Sequence, residues 1–197
     1  MSENQGKKPL LEMREEVPIK KVFWTPARVK DLKEWIVSIV VAVVIVLIIR
    51  MFLFTIIRVD GHSMDDTLSH NERLFVTVLD VKLKGVERGD VVICRYPDRG
   101  FDRFVKRVVG VAGDVIRMEG ANTYINGELI EEDYVTRKDT RNYGEFTVPE
   151  GCVFVCGDNR ANSHDSRYSD VGYLENNMII GKVRYVIWPL TKIRGVE

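Results

Sequence analysis

The chain reads as mainly β: one all-β domain of roughly 140 residues carried on a single N-terminal transmembrane helix. Three observations predict this. One long apolar run lies between Trp35 and Ile57. Beyond it come short β-branched and aromatic runs cut by glycine, proline and charge, with little sustained 3.6-residue period. Finally, Asn126-Gly127 sits between apolar residues, the pattern of a tight hairpin.

Taken in order, Met1 to Pro26 are polar and charged without helical or strand period, and are expected to be disordered or loosely ordered. Ala27 to Glu34 can extend the membrane helix into the cytoplasm. Only Ser38, Arg50 and Thr55 interrupt the apolar run that follows. About 23 residues at ~1.5 Å rise make ~34 Å of helix, enough for a ~30 Å hydrocarbon core. The run follows a charged leader, exceeds a signal-peptide core in length and lacks a small-x-small exit, so it reads as an uncleaved anchor. Arg50, in its outer half, can snorkel to the interface. Lys20, Lys21, Arg28, Lys30 and Lys33 precede the run, and Arg58 alone follows closely. That asymmetry puts the N-terminus in the cytoplasm and the C-terminal domain outside. The expected organisation is a cytoplasmic tail over 1–34, an anchor over 35–57 and an extracytoplasmic β-rich domain over 58–197. Ser63 lies six residues past Ile57. At ~3.5 Å per residue, it must work within ~20 Å of the bilayer surface.

The expected strands are Leu74 to Leu79, Val91 to Arg95, Phe104 to Val111, Val115 to Glu119 and Val153 to Cys156, each apolar and β-branched. Thr123 to Ile130 supplies the hairpin, and Val183 to Trp188, ended by Pro189, reads as a closing strand. The polar insert from Glu131 to Glu145 reads as a mobile loop or excursion.

Lysine plus arginine equals aspartate plus glutamate at 29 each, which argues against nucleic acid as a partner. Three cysteines, Cys94, Cys152 and Cys156, are too few for a disulfide framework and read as small buried hydrophobes. Among the histidines, His62 directly precedes Ser63 and is badly placed as its base if the chain there is extended. His164 beside Asp165 is a weak signal, and His70 gives none. A lysine can act as base when burial keeps it neutral near pH 7. Lys106 interrupts the run Phe104-Val105-Lys106-Arg107-Val108-Val109. By itself, a lysine in a strand is more often an edge or solvent-facing residue.

Three blocks decide the matter. Val59-Asp60-Gly61-His62-Ser63-Met64-Asp65-Asp66-Thr67-Leu68 follows the anchor. Arg88-Gly89-Asp90-Val91-Val92 joins Phe104 to Asp114, and Gly157-Asp158-Asn159-Arg160-Ala161-Asn162-Ser163-His164-Asp165-Ser166-Arg167 comes third. In order and spacing, from about Trp35 to the C-terminus, they resemble the bacterial type I signal peptidases, membrane-bound serine proteases with a Ser-Lys dyad. The resemblance implies a signal-peptidase-like β fold, Ser63 as nucleophile and Lys106 as general base. It implies that Ser163 hydrogen-bonds and orients that lysine, that Asp158 pairs with Arg107, and that Asp165 and Arg167 form a second supporting pair. Val59, Leu68, Ile93 and Val105 match pocket-lining positions that favour small residues at P1 and P3 of the substrate; read alone, the four are ordinary core residues. Gly61 stands where some relatives carry an oxyanion-binding serine. No cofactor and no metal is implied. The implied partners are secretory preproteins, bound through their signal peptides, and the lipid bilayer.

The chain departs from the family pattern at three places. Asp66 replaces the proline of Ser-Met-x-Pro-Thr-Leu, Ala112 a second proline and Ala161 an aspartate. A carboxylate within ~4–6 Å of Lys106 would favour the ammonium and weaken the base. A slow or inactive signal-peptide-binding homologue is therefore the alternative, beside a self-cleaving Ser-Lys protease, which the anchor argues against.

Overall fold

The structure, a computed structural model, describes residues 26–196, with the side chains of 26–29 and 50–52 left aside. The expectations for the tail before Pro26 and for the Arg50 side chain lie outside the described residues. By contacts the chain divides into two compact units, Met1–Val44 and Ile45–Glu197.

A first helix, α1, runs Pro26–Phe52. It thus takes in Ala27 to Glu34, as expected. Its segment Lys30–Ile49 is long and apolar enough to cross a membrane, and is the one such helix among the described residues. Trp35 is 69% and Val37 60% exposed. A helix apolar on all sides, with the described side chains of that segment exposed, suits a hydrocarbon surround.

The expected end of the apolar run at Ile57 needs correction. The helix stops at Phe52, and Phe54–Arg58 is a strand, β1. Its aromatic and β-branched residues pair antiparallel with β2 (Arg73–Thr77), Ile56 facing Phe75. Available backbone partners outweigh the continuity of an apolar run, which does not distinguish helix from buried strand.

The other expected strands form as β3 (Val91–Cys94), β4 (Phe104–Val111), β5 (Val115–Glu119), β6 (Asn122–Ile125), β7 (Glu128–Ile130), β9 (Cys152–Cys156) and β11 (Ile179–Trp188), with β8 (Tyr143–Thr147), β10 (Leu174–Glu175) and β12 (Arg194–Gly195) between and after them. The larger sheet has the order β1-β2-β11-β3-β4-β9-β10, with β12 on β11; the smaller is β7-β6-β5-β8. Asn126 and Gly127 both have positive φ, 54° and 86°, as the two-residue turn between β6 and β7 requires. A short α-helix was not expected: α2 (Leu79–Lys84) takes over where β2 ends, its Asp80 accepting from Thr77 Oγ1 at 2.9 Å.

The insert is also not a free loop. Its end, Tyr143–Thr147, is β8, paired with β5. Before that, Arg160 binds Glu132 at 2.6 and 3.0 Å, Arg137 bridges Asn159, and Arg167 donates to Asp139 at 2.7 Å. The insert is thus an excursion whose polar residues form ion pairs with the rest of the unit.

Three apolar clusters fill the β unit. One holds Val59, Met64, Leu68 and Ile93 with Leu74, Val76 and Val183, beneath the turn that carries Ser63. A second gathers Val92, Cys94 and Val108 with Val155 and Leu174, and a third Ile116, Ile125 and Phe154. Cys94 and Cys156 are buried and all three cysteines are free. Burial pushes the Cys94 thiol up to about 12, so it stays a protonated, inert filler.

Candidate active site

Ser63 lies in the turn between β1 and β2, and Lys106 lies in β4. The sheet order places β4 between β3 and β9, so it has no free edge. Lys106 is 3% exposed, against the usual habit of a strand lysine. Its Nζ stands 2.6 Å from Ser63 Oγ, across 43 positions of sequence. Burial is the largest influence on the ammonium and drives its pKa down; the buried Asp165 carboxylate pulls the other way without winning. A lysine brought toward neutrality offers a lone pair to the hydroxyl it touches.

Around this pair the third block acts as a frame. Asn159 N–H donates to the Ser63 carbonyl at 3.1 Å, and Asn159 Nδ2 donates to the His62 carbonyl at 3.0 Å. Gly157 packs so close that an added Cβ would collide with the Ser63 carbonyl and with the Ser163 side chain. Asp158 grips Arg107 through two bonds of 2.9 Å, both groups buried, and accepts from Thr67 Oγ1 at 2.6 Å. The residue after Lys106 is thereby tied to the residue four past Ser63. Arg107 also donates to the Gly89 carbonyl at 2.8 Å, and its guanidinium lies 4.0 Å from the centre of the Tyr134 ring.

The second expected pair is present too. Arg167 Nε and Nη2 donate to Asp165 at 2.7 and 2.9 Å, and Gly157 N–H donates to Asp165 Oδ2 at 2.9 Å. Burial works to raise the Asp165 carboxyl, but the Arg167 hydrogen bonds and charge hold it below the usual carboxylate range. Ser163 differs from expectation. Its Oγ is buried and adds to the pull on Asp165, yet completes no hydrogen bond of good geometry, with Lys106 or any other described residue.

A cleft of about 330 Å³ opens beside the pair, walled by Ile57 to Gly61 on one side and Asp102 to Lys106 on the other. Val59, Ile93 and Val105 line it, as does Met64. Leu68 does not. Its N–H closes a turn onto the Met64 carbonyl, and its side chain is fully buried in the cluster below. Asp66, the departure of greatest concern, is exposed and accepts from Thr136 Oγ1 at 2.9 Å. The carboxylate that acts most strongly on Lys106 is Asp165.

The histidines have other partners: His62 is 3.1 Å from Asp65, His164 is 2.8 Å from Asp170, and His70 faces Gly61 and Asp60. Sequence reasoning missed Asn159, Gly157 and Thr67, although all three lie inside the blocks it quoted. It also missed Arg194, which donates to the Thr67 carbonyl at 2.7 Å and to both oxygens of buried Glu72 at 2.9 Å. Nothing local marks a C-terminal arginine as the partner of a glutamate 122 positions away.

A family model described as signal peptidase, peptidase S26, matches residues 32–188. The chain is 39% identical over 177 residues to Signal peptidase I of Bacillus licheniformis, a match covering 85% of this chain and 94% of that protein. Signal peptidase I S of Bacillus subtilis strain 168 is 36% identical over 176 residues, covering 84% and 94%. Signal peptidase IB of Staphylococcus aureus strain Mu50 is 34% identical over 183 residues, with the same coverage.

Proposed function

The chain belongs to the signal peptidase family, peptidase S26, and from that premise we propose that it is a Ser-Lys endopeptidase removing signal peptides from secretory preproteins at the outer face of the membrane. The observation that carries the dyad is the 2.6 Å approach of a buried lysine amine to Ser63 Oγ.

In this reading the substrate lies extended in the cleft between Val59–Gly61 and Asp102–Val105, adding main-chain hydrogen bonds as a strand does. Val59, Ile93 and Val105 leave room for small side chains at P1 and P3. Ser63 Oγ attacks the scissile carbonyl carbon while neutral Lys106 takes the hydroxyl proton. The Ser63 backbone N–H supports the charge on the carbonyl oxygen. As the C–N bond breaks, Lys106 returns that proton to the leaving amine. A water then repeats the sequence on the acyl-enzyme, its proton passing to Lys106 and on to Ser63 Oγ as the signal peptide leaves.

The supporting residues act by placement. Asp158 with Arg107 and Thr67, and Asp165 with Arg167 and Gly157, hold the Ser63 turn against β4. Helix α1 serves as the anchor, with the tail inside and the β unit outside. Ser63 lies eleven residues past the helix end at Phe52, a tether that at ~3.5 Å per residue keeps the site within about 40 Å of the bilayer, on the side where signal peptides emerge.

Detergent-solubilised protein should cleave a preprotein at one bond, with the mature N-terminus read by sequencing. Ser63→Ala and Lys106→Ala should each lower that rate by at least ~10³-fold, the usual scale for losing a nucleophile or its base. Near-normal cleavage by either variant would sink the dyad.

A further inference from the structure

The turn bearing Ser63 holds a second, unassigned group of titratable side chains. Gly61, two residues before Ser63, has φ +112, a conformation that favours glycine. Its N–H donates to His70 Nδ1 at 3.2 Å. That same nitrogen lies 3.5 Å from Asp60 Oδ1. An imidazole nitrogen can accept a hydrogen bond only while it carries no proton. Once protonated it can only donate, and the acceptor within reach is Asp60. One atom therefore has two mutually exclusive partners, and a proton selects between them.

The surroundings are equally specific. The His62 ring stacks on His70 with centroids 5.7 Å apart. Beyond it, His62 Nδ1 meets Asp65 Oδ2 at 3.1 Å, and Arg137 Nη1 approaches that oxygen at 3.9 Å. The groups facing His70 are thus Asp60, His62 and the Gly61 N–H, with Asp65 and Arg137 acting from behind His62. Asp60 and Gly61 also line the cleft beside Ser63. What His70 holds is consequently both the approach to the nucleophile and part of the wall along which a substrate strand would lie.

We propose that His70 is a positioning residue for Ser63: neutral, it latches the Gly61 N–H and fixes the chain entering the nucleophile turn; protonated, it turns to Asp60 and releases Gly61. The proposal rests on Ser63 being the nucleophile. Uptake of a proton at the imidazole nitrogen therefore opens the latch. It adds a second proton to the acid loss of activity, beside the one that Lys106 binds.

The test uses the full chain in detergent with a preprotein-derived peptide from pH 5 to 8.5, comparing wild type, His70→Ala and His70→Asn. The Gly61 amide is followed by NMR in parallel. An asparagine oxygen can accept from Gly61 but does not titrate. His70→Ala should lower kcat about 3- to 10-fold at pH 8, the scale of one lost hydrogen bond, with KM nearly unchanged. His70→Asn should recover most of that loss. The Gly61 amide should shift with pH in the wild type and stay still in His70→Asn, whose activity should fall with one proton instead of two. A wild-type kcat in His70→Ala, or a Gly61 amide indifferent to pH in the wild type, overturns the latch. The amide reads the latch without catalysis, so an active Ser63→Ala protein would sink the nucleophile assignment while leaving that titration intact.

Discussion

At the scale of single residues, the site depends on an unfavourable burial. A lysine amine enclosed in the sheet loses hydration that Ser63 alone does not replace. In the proposed dyad, the same loss is what would make it a usable base. Replacing it with an apolar side chain of similar length should therefore separate function from stability. Lys106→Met should be inactive yet more stable, by about 1 kcal/mol or more, since exchanging a buried, poorly hydrated polar group for apolar packing often stabilises. Calorimetry alongside the cleavage assay checks both halves. Asp66 makes the opposite case. Exposed and engaged by Thr136, it should contribute little to Lys106, and Asp66→Ala should leave the pH midpoint of kcat/KM where it is. An acid shift of that midpoint on substitution would revive the weak-enzyme alternative. Gly157 is the least replaceable position: Gly157→Ala drives a methyl into the Ser63 carbonyl and Ser163. It should cost about 1–3 kcal/mol of stability as overpacking does, and lower kcat in any protein that still folds.

At the scale of elements, the strands were legible because β-branched runs bounded by glycine and charge leave little choice, and the Asn126-Gly127 turn admits few conformations. The end of α1 was not legible, because Phe54-Thr55-Ile56-Ile57 is as apolar as the helix before it. Only the presence of β2 as a partner makes it a strand. In the same way, residue pairs quoted from the blocks, such as Arg107 with Asp158, were found as expected, whereas Arg194 with Glu72 and Arg160 with Glu132 depend on distant contacts. The arm from Glu132 to Tyr143 shows what those contacts do. Burial raises the Asp139 carboxyl, but Arg141, Tyr143 and Arg167 outweigh it and hold the group down to about 2. A carboxyl with a lowered folded value lends stability above its ordinary range and loses it as pH falls toward that lowered value. Unfolding followed from pH 5 to 2 should lose part of its stability between about 4 and 2, and Asp139→Asn should flatten that portion of the curve. An unchanged curve would show that the arm does not depend on this carboxylate.

At the scale of the whole molecule, the chain joins an apolar helix to a β unit whose cleft carries the Ser63–Lys106 pair. On the proposed orientation, tail inside and β unit outside, a membrane-impermeant protease added to intact cells should digest the β unit and spare an N-terminal tag; the reverse pattern would overturn it. The central claim, though, is chemical: a buried lysine, neutral at working pH, takes the proton of Ser63. Its direct measure is the pH dependence of kcat/KM, which reports the free enzyme. Burial lowers the Lys106 value, so the neutral fraction, and with it cleavage, should rise with pH. The lysine-dependent rise should be centred well below the ordinary lysine value of about 10.4. Lys106→Ala should abolish cleavage throughout the range. A rise centred on the ordinary lysine value, or full cleavage without the Lys106 amine, would contradict the account.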